Sequence, residues 1–247
     1  MRRRSPLRRV RRFTGCLAVA LLVALGLFLL WAAVRGQPQD MPWTPLDLGE
    51  QPGLFTGRKL AGLRDDPAKC RALLTRAGVR FERVAPLSEG LSCGYTAALR
   101  PAPGGSRRVA LFPREPVLTC PVVAAAAMWE WSVVQPAARK YLGTGVVGIE
   151  HLGSYNCRPI AGTKHWSEHA TANALDIAAF RFADGRRLSI LADWRGNGPE
   201  ATFLRRVRTG ACPLFATVLS PDYNAAHRDH LHLDQAARGE WGWRACR

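Results

Sequence analysis

Residues 13–34 form an apolar run without a single charge, and that run dictates the architecture of everything after it. As a helix, twenty-two residues span roughly 33 Å, enough to cross the hydrocarbon core of a bilayer. Seven arginines and no acid precede the run, whereas Arg35 stands alone just beyond it. That asymmetry places the basic end in the cytoplasm and carries the rest of the chain across the membrane. A cleaved signal peptide has an apolar stretch of about 7–15 residues and a small-x-small exit. Here the run is longer and ends in Trp31-Ala32-Ala33-Val34. The organisation expected is a basic tail over 1–12, a retained anchor over 13–34, a linker over 35–52 and one domain over 53–247. The linker reading rests on proline-rich, aperiodic sequence.

The formal net charge of +16 falls to +9 once the seven arginines are set aside. Export removes nucleic acid as a partner and leaves anionic wall polymers or lipid head groups. No stripe of aromatic and basic residues marks a polysaccharide-binding surface, and nothing in the sequence sets an oligomeric state. Six cysteines follow the span: Cys70, Cys93, Cys120, Cys157, Cys212 and Cys246. An even number in an exported domain points to three disulfides, with fifteen pairings open. The absence of any C-x2-C spacing argues against a zinc-cysteine cluster.

Local pattern predicts a helix over 65–78 and strands over 79–84 and 107–112. Thr119 is the expected cap of an alanine-rich helix that takes Pro121 in its first turn, runs through 134 and is bent or interrupted by Pro136. Strands follow at 146–149, 174–180 and 230–233, with a helix at 201–208. Helices and strands segregate without a regular βαβ alternation. The class is therefore α+β, a single domain with a small, mainly antiparallel sheet and packed helices.

All six histidines lie in the last hundred residues, and two short stretches concentrate them, SEHATANALDI over 167–177 and HRDHLHLD over 227–234. Imidazole and carboxylate suit Zn²⁺, which in catalytic sites takes three protein ligands and leaves a fourth position open. His169, Asp176 and His232 make such a set. On a strand, residues two apart share a face, so His230 and His232 look into the site while Leu231 and Leu233 pack behind them. Ala174 and Asp176 share a face in the same way. His227 is a candidate supporting residue, and His151 and His165 are read as structural. Asp193-Trp194 and Asp222-Tyr223-Asn224 are read as turns.

The run from Ser154 to Asp234, with SYNCR, SEHATANALDIAAF and HRDHLHLD, resembles the extensin-like C-terminal domain family of bacteria over most of residues 50–247. That family is similar in its motifs to the LAS zinc peptidases, which include D-Ala-D-Ala carboxypeptidases and L,D-endopeptidases of peptidoglycan. The peptidase pattern S-x-H-x6-D is met by Ser167, His169 and Asp176. It implies His169, Asp176 and His232 as zinc ligands. The general base implied is Asp229, where some members have glutamate, or His230, where others have histidine. Strand geometry favours His230, because residues 229 and 232 point to opposite faces. Arg158 is implied to bind a substrate carboxylate or stabilise an oxyanion. Ser167 and Glu168 are implied to orient the site from behind.

The activity implied is zinc-assisted hydrolysis of amide bonds in peptidoglycan stems or cross-links, at the cytoplasmic membrane with the domain in the periplasm. The alternative is a module that holds wall peptides without cutting them.

Overall fold

The computed structural model describes residues 6–239 and 243–247. Its first helix, α1 (Pro6–Gly36), contains an apolar stretch, Phe13–Gly36, that is not buried by any of the described residues. The stretch has the length and composition of a membrane span, and of a signal sequence equally. Residues 1–5 of the expected tail lie outside the described residues, while 6–12 belong to α1.

The stretch expected to be a linker is packed against the domain. Pro38–Asp40 makes a 3₁₀ turn, the Gln39 carbonyl accepts from the Phe55 amide (3.2 Å), and Gln39 is buried. Leu46 and Leu48 enter the main core. Composition misleads here because two isolated leucines carry no periodicity, and contact with the rest of the fold orders the segment instead. The packed unit begins near Gln39, ahead of the boundary expected at 53. Leu48→Ala should cost about 2–5 kcal/mol, the usual range for emptying a buried leucine site. Thermal unfolding of the full chain in detergent micelles measures it.

Helices α2 (Thr56–Ala61) and α3 (Pro67–Arg76) follow. The Asp66 carboxylate accepts from the Lys69 amide to cap α3, and Pro67 sits where its missing N–H costs nothing. Next come β1 (Val79–Arg83), β2 (Leu87–Glu89), β3 (Cys93–Tyr95), β4 (Ala98–Gly105), β5 (Ala110–Phe112) and β6 (Leu118–Thr119). Strands β1, β4 and β6 form a small antiparallel sheet, and β2 and β3 a hairpin. The strand expected over 107–112 is shorter because Arg107 turns inward to a buried ion pair with Glu130 (3.2 Å).

The central helix runs from α4 (Cys120–Trp129) through a π-turn, Glu130–Val134, into α5 (Gln135–Leu142). Of the two readings open at Pro136, a bend or an interruption, the second does not hold, because the helix continues through it. The proline falls in the first turn of α5, and the wider turn before it accommodates the missing donor. Thr119 precedes α4 but makes no side-chain cap; its hydroxyl donates to Asn173 Oδ1 (2.7 Å).

The main sheet is built from β7 (Val146–Gly153), β8 (Ala174–Phe182) and β9 (Arg187–Ser189). After α6 (Ile190–Asp193) and α7 (Pro199–Ala211), β10 (Thr217–Leu219), β11 (Leu231–Asp234) and β12 (Ala245–Cys246) complete it. The order is β12-β10-β11-β8-β7-β5, with β9 also on β8, and only β5/β7 and β10/β12 run parallel. The fold is thus α+β, a single domain with a mainly antiparallel sheet. Trp129 of α4 and Phe203 of α7 pack on Phe180 of β8 in the core between helices and sheet. Leu175, Ile177, Leu231 and Leu233 join that core, so the intervening Asp176 and His232 face the other way.

The six cysteines pair as Cys70–Cys120, Cys93–Cys157 and Cys212–Cys246. These join α3 to α4, the β2–β3 hairpin to the loop after β7, and the end of α7 to β12. Three such bonds fit an oxidising compartment.

Candidate metal centre

Two neighbouring strands and one tight turn bring the three candidate ligands together. Asp176 of β8 and His232 of β11 are direct antiparallel partners, and their side chains meet with Nδ1 2.9 Å from Oδ1. His169 arrives on a 3₁₀ turn, Glu168–Thr171. Ser167 opens that turn by accepting from the His169 amide through its hydroxyl, and Ala172 closes it in the left-handed conformation (φ 54°). His169 Nε2 then lies 3.2 Å from both His232 Nδ1 and Asp176 Oδ2. All three side chains are buried or nearly so.

Hydrogen bonding orients both rings. The Ser154 carbonyl can only accept, so His169 Nδ1, at 2.5 Å, carries the proton and leaves Nε2 with a lone pair. His232 lies between two carboxylates, with Nε2 3.1 Å from Asp234 and Nδ1 2.9 Å from Asp176, so without an ion its ring is an imidazolium that donates to both, and a bound cation would take the place of the Nδ1 proton. His169 Nε2, His232 Nδ1 and an Asp176 carboxylate oxygen thus come within 4.8 Å of one another. The set fits Zn²⁺ in ligand type and number, and each histidine has the outer partner that metal-binding histidines normally have.

The electrostatics agree. Without an ion, burial alone would push the Asp176 carboxyl up, but His169 and His232 overcome it and hold it far below the usual carboxylate range. Burial disfavours the His232 imidazolium, yet Asp176 and Asp234 outweigh it and raise its pKa to about 9. The pocket is thus arranged to hold positive charge.

His230 stands just before β11. Its Nδ1 lies 2.9 Å from Asp229 Oδ1, which leaves Nε2 bare and 3.7 Å from Asp176 Oδ1. Asp229, held below its ordinary value chiefly by that hydrogen bond, turns to His230 and away from the three ligands. His227 packs its ring 5.2 Å from that of His230 and 6.0 Å from that of His232. Its Nδ1 donates to Asn224 Oδ1 (2.7 Å), and burial, followed by the neighbouring histidines, depresses its pKa to about 4. Arg158 lies on the exposed loop joined by the Pro159–Trp166 bridge, and its carbonyl accepts from the Ser167 amide. Its guanidinium makes no hydrogen bond or ion pair among the described residues.

Glu168 lies on the turn that carries His169. Its carboxylate takes the Asn173 amide and lies 3.9 Å from Arg64, so it braces the loop without reaching the ligands. Two contributors were not singled out from sequence. Asp234 follows from the alternation His230-x-His232-x-Asp234, which puts all three on one face. Ser154 acts through its backbone carbonyl, for which no side-chain signal exists.

Fold and site together define an α+β protein with a two-histidine, one-aspartate centre on the face of its sheet opposite the helical core. The family described as extensin-like protein C-terminus matches residues 68–247, well over half the chain, and the protein belongs to that family. No curated relative and no solved structure matches it.

Proposed function

We propose that the protein is a membrane-anchored, zinc-dependent peptidase that hydrolyses amide bonds in peptidoglycan peptides outside the cytoplasmic membrane, in the periplasm. The observation that carries the proposal is the convergence of His169 Nε2, His232 Nδ1 and the Asp176 carboxylate. The likeness of S-x-H-x6-D and H-x-H to the LAS peptidases supplies the reaction class. The apolar α1 and the three disulfides support the location. Bound at these three residues, zinc would activate water and polarise the scissile carbonyl.

His230 is then the general base, because its bare Nε2 faces the site. Asp229 is a positioning residue that fixes the tautomer and ring of His230. Arg158, exposed and without an ion-pair partner among the described residues, is available for a substrate carboxylate. Ser154 and Asp234 hold the two histidine ligands in register.

The test is incubation of the full chain, in detergent and loaded with zinc, with purified peptidoglycan peptides, followed by mass spectrometry of the products. Cleavage is expected, and His230→Gln should lower kcat by roughly 10²–10⁴ while zinc content stays at the wild-type level. A chain that holds zinc but cuts none of the peptides would leave the wall-binding alternative. A chain that takes up no zinc would overturn the proposal altogether.

A further inference from the structure

Away from the three ligands, a cavity of about 590 Å³ opens beside the end of β7, lined in part by Arg100, Arg114, Glu115, His151, Ser154 and Tyr155. Its size is that of a small-molecule site. Glu115 Oε2, His151 Nδ1 and Ser154 Oγ are buried atoms without a hydrogen-bond partner among the described residues, and all three belong to this lining. Ser154 is 4% exposed and His151 9%. Orphaned polar atoms at that depth carry a desolvation cost that a ligand can relieve.

The chemistry of the lining selects the ligand. His151 Nε2 lies 2.8 Å from the Arg114 carbonyl, an obligate acceptor, so Nε2 carries the proton and Nδ1 is an acceptor. One Glu115 oxygen takes the Leu111 amide (3.1 Å) and the other is free to accept. The Ser154 hydroxyl can do the same. Three inner acceptors call for a group with three N–H donors. Outside them stand two exposed guanidinium groups: Arg114, unpaired among the described residues, and Arg100, whose one ion pair is a long contact to Glu82 (3.9 Å).

We propose that this cavity binds a zwitterionic α-amino acid, its ammonium group inward on Glu115, His151 and Ser154 and its carboxylate outward on Arg114 and Arg100. None of His169, Asp176 and His232 lines the cavity; Ser154 is shared, its hydroxyl facing the cavity and its carbonyl holding His169, so the test varies Arg114 and Glu115 and leaves Ser154 intact.

The experiment is saturation-transfer NMR on the full chain in detergent micelles, with glycine, methylammonium and acetate as probes and glycylglycine to separate a free amino acid from a peptide. Glycine should bind at least tenfold more tightly than methylammonium or acetate, which each satisfy half of the site, and more tightly than glycylglycine, whose charges are too far apart. Arg114→Gln should weaken glycine roughly tenfold and leave methylammonium unchanged, while Glu115→Gln should weaken both. Arg114 is exposed, so if Glu115→Gln does not fold, Arg114→Gln alone decides. Acetate binding as well as glycine, glycine binding indifferent to Arg114→Gln, or no saturable binding of any probe would each overturn the proposal.

Discussion

Asp176→Asn is expected to strip the protein of zinc, with a loss of affinity well beyond the 10–100-fold that removal of a supporting partner costs. The substitution keeps the shape of the side chain and deletes the only negative charge among the three converging groups. An amide oxygen is a far poorer ligand than a carboxylate, and two neutral imidazoles alone make a weak site. Asp234→Asn is the internal comparison, since it changes only the outer partner of His232. It should stay within the 10–100-fold range. Competition against a chromophoric chelator gives both affinities. Zinc at a hundred times its Kd should also stabilise the wild-type fold by about 2.7 kcal/mol, read as a rise in Tm, and should leave Asp176→Asn unmoved. Equal zinc affinity in wild type and Asp176→Asn would mean that the ion sits elsewhere.

Arg107→Ala should be among the most destabilising single changes in the chain, by about 3–5 kcal/mol, because it leaves the Glu130 carboxylate buried without its counter-charge. Both side chains are almost wholly buried. Glu130 opens the π-turn of the central helix and also accepts from the Arg108 amide (3.0 Å), so the ion pair fixes the helix against the chain that enters β5. The effect has a pH signature. Burial holds the Glu130 pKa above its ordinary value, with Arg107 acting against that shift. Without Arg107 the folded-state pKa rises further. A carboxyl with a raised folded-state pKa contributes stability that is complete below its unfolded pKa and is lost as pH rises through the folded one. The deficit of Arg107→Ala should therefore be largest at about pH 8 and shrink toward about pH 5. Thermal melts at the two pH values give the comparison, and a deficit independent of pH would show that lost packing, not a buried unpaired charge, is the cause.

The parts of this molecule that were legible in its sequence are those encoded in local spacing. The alternation through 230–234 put two histidines on one face of a strand. The motif carrying His169 and Asp176 announced their partnership, and local pattern marked a helix over 65–78. What was illegible depends on distant contacts. Leu46 and Leu48 look like linker residues until the core they enter exists. Arg107 reads as part of a strand because Glu130, its partner, lies twenty-three positions away. Thr119 reads as a cap, yet Asn173 competes successfully for its hydroxyl. The disulfide pairings could be chosen only once the hairpin and the loop after β7 were side by side. Pro136 misled for a different reason: a proline forbids one hydrogen bond, and the chain answered by widening a single turn.

The early start of the packed unit has a mechanical consequence. Helix α1 ends at Gly36 and Gln39 is already buried, which leaves only Gln37 and Pro38 between them, about 7 Å when fully extended. As long as α1 stays attached in a bilayer, the domain has no leash to swing on. Its reach is its own thickness, roughly 40 Å for a unit of this size. Such a protein would patrol a thin shell against the lipid surface and cover new ground only by drifting sideways with its anchor.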